Sequence, residues 1–288
     1  MKFDFIAAEN AQKSFEVEFM CRELEVSSSG YYASRKRGIS KRARADLELV
    51  PMIHAEFKQH PRGCGSRMVL GALKQNGQAV SRKRIVRLMH EENLRPRLKR
   101  RYVCTTKSRH DQRLAKNALD RNFEVGEPNK VWASDITYLH TNRGWAYLAV
   151  VLDLGSRKVV GWAVSDSMEE QLTLSALEAA LKDRKPDLGL LHHSDRGVHY
   201  ASHAYQALLA EHDIDCSMSR KGNCWDNACV ESFFSTLKRE LPNDTTFEDW
   251  REVERAVFSY IDAYYNTRRR HSTLGYVSPN AYEELRAA

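Results

Sequence analysis

The sequence predicts an α/β fold, a mixed five-stranded sheet with flanking helices, preceded by an all-α region holding a helix-turn-helix pattern. Three observations carry that expectation. The apolar period changes from helical to alternating near residue 129. Beyond that point the runs read strand, strand, strand, helix, strand, helix, strand, the order of a sheet that starts antiparallel and adds parallel strands. Charge divides at the same place: residues 1–134 carry a net +13 and the remainder −6, although the whole chain is only +7. A basic front half joined to an acidic back half is the distribution of a polyanion-binding module attached to a separate domain.

A chain of 288 residues, 42% of them hydrophobic, can bury a full core and is long enough for about two domains. No apolar run approaches the roughly 18 residues of a membrane span, and the start, with Lys2, Asp4 and Glu9, has no secretory pattern. No membrane partner and a cytoplasmic location are therefore expected. The scattered cysteines Cys21, Cys64, Cys104, Cys216, Cys224 and Cys229 fit reduced thiols in that compartment.

The N-terminal segment, residues 1–40, is expected to be helical from residue 18, to break at Val26-Ser-Ser-Ser-Gly30, and to resume in a short helix capped by Ser27. Residues 41–95 form the helix-turn-helix expectation. A first helix carries Leu49, Ile53 and Phe57, a loop follows at Pro61-Arg-Gly-Cys-Gly65, and a second helix holds Met68 to Leu73. After the Asn76-Gly77 turn comes Arg82-Lys-Arg-Ile-Val-Arg-Leu-Met-His90, where Ile85, Leu88 and Met89 make an apolar stripe beside Arg82, Lys83, Arg84 and Arg87. That pattern suits a recognition helix whose basic residues face phosphates and base edges of double-stranded DNA. A plain helical bundle is the alternative. Residues 96–127 read as a basic linker, opened by Arg95-Pro-Arg-Leu-Lys-Arg-Arg101, that tracks phosphate without reading sequence.

Residues 128–288 are expected to form the α/β core with C-terminal helices. Strands are expected at 131–139, 146–153 and 158–165, a helix at 169–183, a strand at 188–193, a helix at 202–212 and a strand at 214–217. A helix carrying Val230, Phe233, Phe234 and Leu237 follows, and another runs from Phe247 to about Tyr265. On this scaffold three acids stand out. Asp135 lies in the first strand, Asp195 just past the fourth, and Glu231 on the helix that crosses the adjoining face. Two unit charges 4 Å apart repel by about 4 kcal/mol at an effective dielectric of 20, and a divalent cation reverses that sign. Mg²⁺ takes one or two protein carboxylates per ion, so three acids suit two ions, the arrangement that serves in-line displacement at phosphorus. Lys238, seven residues after Glu231, returns to nearly the same helix face, where it could hold a phosphate or serve only as a solubilising charge. His199 and His203 with Cys224 and Cys229 do not make a zinc site, because four residues separate the cysteines and structural zinc wants closer pairs.

In these residues the chain resembles the DDE transposases of the ribonuclease-H-like superfamily, and more narrowly the second-reading-frame product of the bacterial insertion sequence three family. The resemblance rests on Met20-Cys-Arg-Glu-Leu24 with Tyr31-Tyr32, Val80 to Met89, Pro128-Asn-Lys-Val-Trp132 with Asp135-Ile-Thr-Tyr138, and His193-Ser-Asp-Arg-Gly197. It continues through Asp226-Asn-Ala228, Glu231-Ser-Phe-Phe234, Tyr265-Asn266, His271, Leu274-Gly-Tyr276 and Ser278-Pro279. It implies a ribonuclease-H-like integrase core in which Asp135, Asp195 and Glu231 are catalytic and bind two Mg²⁺, with Mn²⁺ as a substitute. It further implies 3′-end cleavage at the terminal inverted repeats of a transposon and direct strand transfer into target DNA, in a nucleoid-associated bacterial protein. Lys238, Tyr265, Asn266, Arg269 and His271 join the four basic residues of the recognition helix as expected DNA contacts, the C-terminal four having core closure as their other role. A homo-multimer is expected, since two ends must be synapsed, and the upstream reading-frame product is an expected partner. His199 stands where such motifs commonly carry Gln, and Cys64 where an aromatic residue is usual. Two alternatives stay open: a ribonuclease-H-like nuclease that does not join strands, and a DNA-binding regulator with an inactive core.

Overall fold

The computed structural model describes residues 2–12, 15–96, 115–123, 125–220, 224–241 and 246–287. It divides into two compact units, Met1–His54 and Ala55–Ala288. Most of the expected linker, including residues 97–114, lies outside the described residues.

The first unit contains α1 (Lys2–Ala11), α2 (Val17–Glu23), α3 (Ser28–Lys36) and the start of α4 (Lys41–Lys58). Ile6, Met20, Cys21 and Tyr31, one or two from each of the first three helices, form its buried cluster. The break between α2 and α3 falls at the expected place, and the Gly30 amide donates to the Ser27 hydroxyl at 3.1 Å, satisfying one of the amides a helix start leaves unpaired. α1 was not expected from periodicity. Its packed stripe is short, Phe3, Ile6 and Ala7, and the exposed Phe5 blurs it.

The second unit begins within α4 and continues through α5 (Ser66–Gln75) and α6 (Arg82–Glu91). Ser81 caps α6 by accepting from the Arg84 amide at 3.3 Å, and Ile85, Leu88 and Met89 are its buried stripe. The end of α4 and α5 are bound to the chain's C-terminal segment. The Arg270 guanidinium donates to Glu56 at 2.9 Å and to the Tyr276 carbonyl at 3.0 Å, and Gln75 donates to the Gly275 carbonyl at 2.9 Å. His60 Nδ1 lies 2.7 Å from the Tyr264 hydroxyl, and Arg62 donates to the Leu241 carbonyl at 2.9 Å. Gly71 is required here, because a Cβ would meet the Tyr276 ring at 2.4 Å.

The sheet has the order β3-β2-β1-β4-β5. β1 (Val131–Thr141), β2 (Gly144–Asp153) and β3 (Val159–Ser165) form the antiparallel meander, and β4 (Leu191–Ser194) and β5 (Asp215–Met218) are added in parallel beside β1. α7 (Glu170–Arg184) and α8 (His203–Glu211) provide the crossovers. The mixed five-stranded sheet expected from the sequence is therefore present. Alternation along the strands creates two cores. Trp132, Ala149 and Val151 pack with Leu172, Leu177, Tyr205 and Leu209 of α7 and α8. Ala133, Leu148, Val150 and Leu152 pack on the opposite face with α9 (Ala228–Glu240) and α10 (Trp250–Tyr260), through Val230, Phe233, Leu237, Val253 and Val257. α10 passes directly into a π-helical turn at Ile261–Tyr265, and α11 (Pro279–Ala287) ends the fold.

Candidate active site

The register of β1 against β4 determines where the first two acids fall. The parallel pairs run from Val131↔Leu191 to Ser134↔Ser194, so Asp135 and Asp195 each follow the last pair of the β1–β4 ladder. Odd residues of β1 share the face of Ala133, which is the α9 side. Strand alternation carries Asp135 and Asp195 to that same face. Both are half-buried, and the Asp195 Oδ1 accepts the Gly197 amide at 2.8 Å while Asp135 Oδ1 accepts the Ile136 amide at 2.8 Å. Glu231 lies on the solvent-exposed side of the first turn of α9. That turn is tied to β1, since Asn227, the residue before α9, donates its side-chain amide to the Ser134 carbonyl at 3.1 Å.

The electrostatics follow from this placement. Burial pushes the Asp135 carboxyl well above the usual carboxylate range, the Asp195 charge adds to it, and Glu231 pushes in the same direction; Lys238 pulls against them. Lys238 also stands over the Tyr138 ring, 5.0 Å from its centroid. Among the described residues, no group of three His, Cys, Asp or Glu side chains is close enough to enclose a metal ion. The donor set nevertheless suits one. Carboxylate oxygens are the ligands of hard divalent cations, and mutual repulsion at Asp135 is what such an ion relieves.

Beneath the two aspartates is a layer of neutral polar groups, hydrogen-bonded to one another except at His192 Nδ1, which is buried without a partner. His192 Nε2 lies 2.8 Å from the Ser134 hydroxyl and 3.0 Å from the Tyr205 hydroxyl, and burial drops its pKa to about 3. On the other face His193 lies 2.9 Å from Ser217 and 3.1 Å from Ser219, with burial dropping its pKa to about 4. Neither imidazole adds charge to the site near neutral pH.

Asp226 has a part that the sequence reading did not assign. Its solvent-inaccessible carboxylate accepts from Asn117 at 3.0 Å, from Arg121 Nε at 2.9 Å, and from the amide, Nε and Nη2 of Arg220, each at 2.9 Å. The Arg220 contact holds the carboxyl below the usual carboxylate range, with Arg121 contributing. This clamp fixes the short 3₁₀ turn Cys224–Asn227 from which α9 departs. The only sequence signal was an Asp-Asn pair just before the Glu231 helix.

The expected DNA contacts separate into two groups. On α6, Arg82 and Lys83 are exposed and Arg84 is half-buried, whereas Arg87 is engaged by the Glu91 carboxylate at 2.8 and 2.9 Å. The four C-terminal residues are committed to the core. The Asn266 side chain accepts from the Val159 amide at 3.0 Å and donates to its carbonyl at 2.9 Å. Arg269 makes a two-pronged pair with Glu240 at 2.8 and 2.9 Å. Tyr265 packs edge-on against Phe233 and His271, with ring centroids 4.8 and 4.9 Å apart, and burial holds His271 well below its ordinary pKa. Of the two roles expected for Tyr265, Asn266, Arg269 and His271, core closure is the one this geometry describes. The polar side-chain atoms of Asn266 and Arg269 are turned to protein partners, and the His271 Nε2 is buried without one.

A mixed five-stranded sheet of this order with helices on both faces is the architecture of an integrase core, a class of polynucleotidyl transferases. Comparison with known proteins agrees. Residues 125–224 and 212–279 match models described as integrase core domain, and residues 41–102 match an HTH-like domain. The transposase InsF for insertion sequence IS3A of Escherichia coli (strain K12) is 40% identical over 291 residues, covering 100% of both chains. A 31 kDa uncharacterized protein of insertion element IS600 from Shigella sonnei is 39% identical over 265 residues, 92% of this chain and 97% of that one. The chain belongs to the IS3 family of insertion-sequence transposases. Among solved structures, the HTLV-2 integrase catalytic core domain in complex with magnesium covers 54% of this chain and 97% of its own, at 19% identity and a TM-score of 0.39.

Proposed function

We propose that this transposase cleaves the 3′ ends of its insertion sequence and joins them to target DNA, with Asp135, Asp195 and Glu231 holding two Mg²⁺ or Mn²⁺ ions. The observation that carries this reading is the strand register that ends the β1–β4 ladder one residue before both Asp135 and Asp195, with the α9 turn hydrogen-bonded to Ser134. When bound, such ions supply activation of the attacking oxygen and stabilisation of the leaving one. The protein's own part is positional. β1 and β4 hold two carboxylates side by side, Asn227 and the Asp226 clamp hold the helix that brings the third, and Lys238 sets a positive charge beside them for a phosphate oxygen.

In the first step water attacks phosphorus, the bond to the 3′ oxygen breaks, and a 3′ hydroxyl and a 5′ phosphate result. That hydroxyl then attacks a target phosphodiester, forming one P–O bond as another breaks. The exchange needs no external energy and no covalent bond to protein. Double-stranded DNA, as terminal repeats and as target, is the partner, with Arg82, Lys83 and Arg84 of α6 contributing to the contact. A multimer that holds two ends is part of the same reading.

The test is a strand-joining assay with Asp135→Asn. Joining and 3′ nicking should fall by at least about a thousandfold, the scale on which electrostatic stabilisation of a transition state operates. DNA affinity should change little. Nicking without joining by the unaltered protein would favour a nuclease, and a fully active Asp135→Asn would remove these acids from the chemistry.

A further inference from the structure

Beyond Asp135, β1 continues for six residues after β4 has ended, and among the described residues its positions 136–140 pair only with β2. That free edge carries an aromatic group with no part in the chemistry described above. Trp145 on β2 is paired across the ladder with His140 and is 48% exposed, although it is one of the larger apolar side chains of the chain. Its indole is perpendicular to both ring neighbours, with centroids 5.0 Å and 87° from Tyr138 and 5.1 Å and 86° from His140. Two edge-to-face contacts brace the indole. Among the described residues, no ring lies parallel to it, which is the position a nucleobase would take.

The hairpin that presents Trp145 is anchored. Asn142 donates to Glu248 at 2.8 Å, its amide donates to the Phe247 carbonyl at 2.8 Å, and Arg143 donates to Glu248 at 3.3 Å. One contact reaches from this group to the acids: Lys238, two turns after Glu231 on α9, lies over Tyr138, 5.0 Å from the ring centroid. Tyr138 and His140 are three and five residues past Asp135, about 10 and 16 Å along an extended strand. Strand alternation places Tyr138, His140 and Trp145 on the face of the sheet opposite Asp135, so a base at Trp145 and a phosphate at the acids would belong to one strand that passes round the β1 edge, a few nucleotides apart.

We propose that Trp145, braced by Tyr138 and His140, is a stacking platform for an unpaired nucleobase a few nucleotides from the bond being cut. The inference rests on the transposase reading and names a ligand class for a surface that reading leaves unused. A cation and an exposed ring within one aromatic cluster, here Lys238 over Tyr138 and Tyr138 against Trp145, make the combination by which single-stranded nucleic acid is held, the charge taking backbone and the ring taking a base. Unpairing near the end would draw the strand off the duplex and along the free β1 edge.

The experiment compares the full chain and its Trp145→Ala, Trp145→Phe and Asp135→Asn variants in Ca²⁺ buffer. The probes are one DNA duplex with a short 3′ overhang containing 2-aminopurine and the same duplex with blunt ends. Stacking predicts that Trp145→Ala lowers the overhang-over-blunt preference by about fivefold to a hundredfold, with loss of 2-aminopurine quenching, and that Trp145→Phe restores most of both. Asp135→Asn should keep the preference while losing strand joining in Mn²⁺. An unchanged preference in Trp145→Ala overturns the platform, as does equal weakening on both probes or a change in oligomeric state alone. If Asp135→Asn still joins strands, the assignment of the acids fails instead, whatever Trp145 does.

Discussion

Replacing Asp226 with Asn tests the clamp at the start of α9 with almost no change of shape. The carboxylate accepts five hydrogen bonds, three of them from two guanidinium groups. An amide keeps one acceptor oxygen and turns an NH₂ group toward donors that then have no acceptor. Removing one partner of a buried ion pair costs about 3–5 kcal/mol. Here the arginine side chains are 45% and 47% exposed and can recover water, which lowers the expectation to about 2–3 kcal/mol. For a unit of this size that corresponds to a Tm lower by about 5–10 °C, measured by calorimetry at pH 7. The sign with pH is fixed by the depressed carboxyl. A group whose folded pKa lies below its unfolded value of about 3.9 stabilises fully above that value and loses its contribution as pH falls through the folded pKa. The Tm gap between the two proteins should thus be constant from about pH 5 to 8 and narrow below about pH 4. No gap at pH 7, or a gap that persists undiminished into strong acid, would refute the clamp.

Two further outcomes are expected. Lys83→Ala on the exposed side of α6 should reduce the slope of log K against log salt for duplex DNA by about 0.9, read by fluorescence anisotropy across a salt series, with little change in Tm; an unchanged slope removes Lys83 from the phosphate contact. Gly71→Ala should cost about 1–3 kcal/mol, because the added methyl would sit 2.4 Å from the Tyr276 ring; equal denaturant midpoints would show that α5 and the C-terminal segment separate easily.

How far the sequence reveals the fold depends on the range of the interaction. β1 to β3 and α7 are legible because burial of one face writes a period into neighbouring residues. The positions of Asp135 within the first strand and of Asp195 just past the fourth are legible for a related reason, since strand patterning locates both. The Asp226 clamp leaves no such trace. Its partners Asn117 and Arg121 are 109 and 105 positions away, among ordinary surface-type residues. The same holds for His60 with Tyr264, 204 positions apart, and Arg270 with Glu56, 214 apart. Tyr265, Asn266, Arg269 and His271 show another limit. Aromatic, amide and cationic side chains serve a DNA surface and a polar core equally well, and only burial separates the two uses.

The bonds from Glu56, His60, Arg62 and Gln75 to the C-terminal segment have a consequence for distance. α6 packs on α5, so α6 and the strands that carry Asp135 and Asp195 belong to one compact unit. On the function proposed above, such a unit works as a ruler. The number of base pairs between the recognised sequence and the cleaved bond is then set by protein geometry, and lengthening the Asn76–Ser81 turn should shift the position of the nick along the DNA before it abolishes the nick.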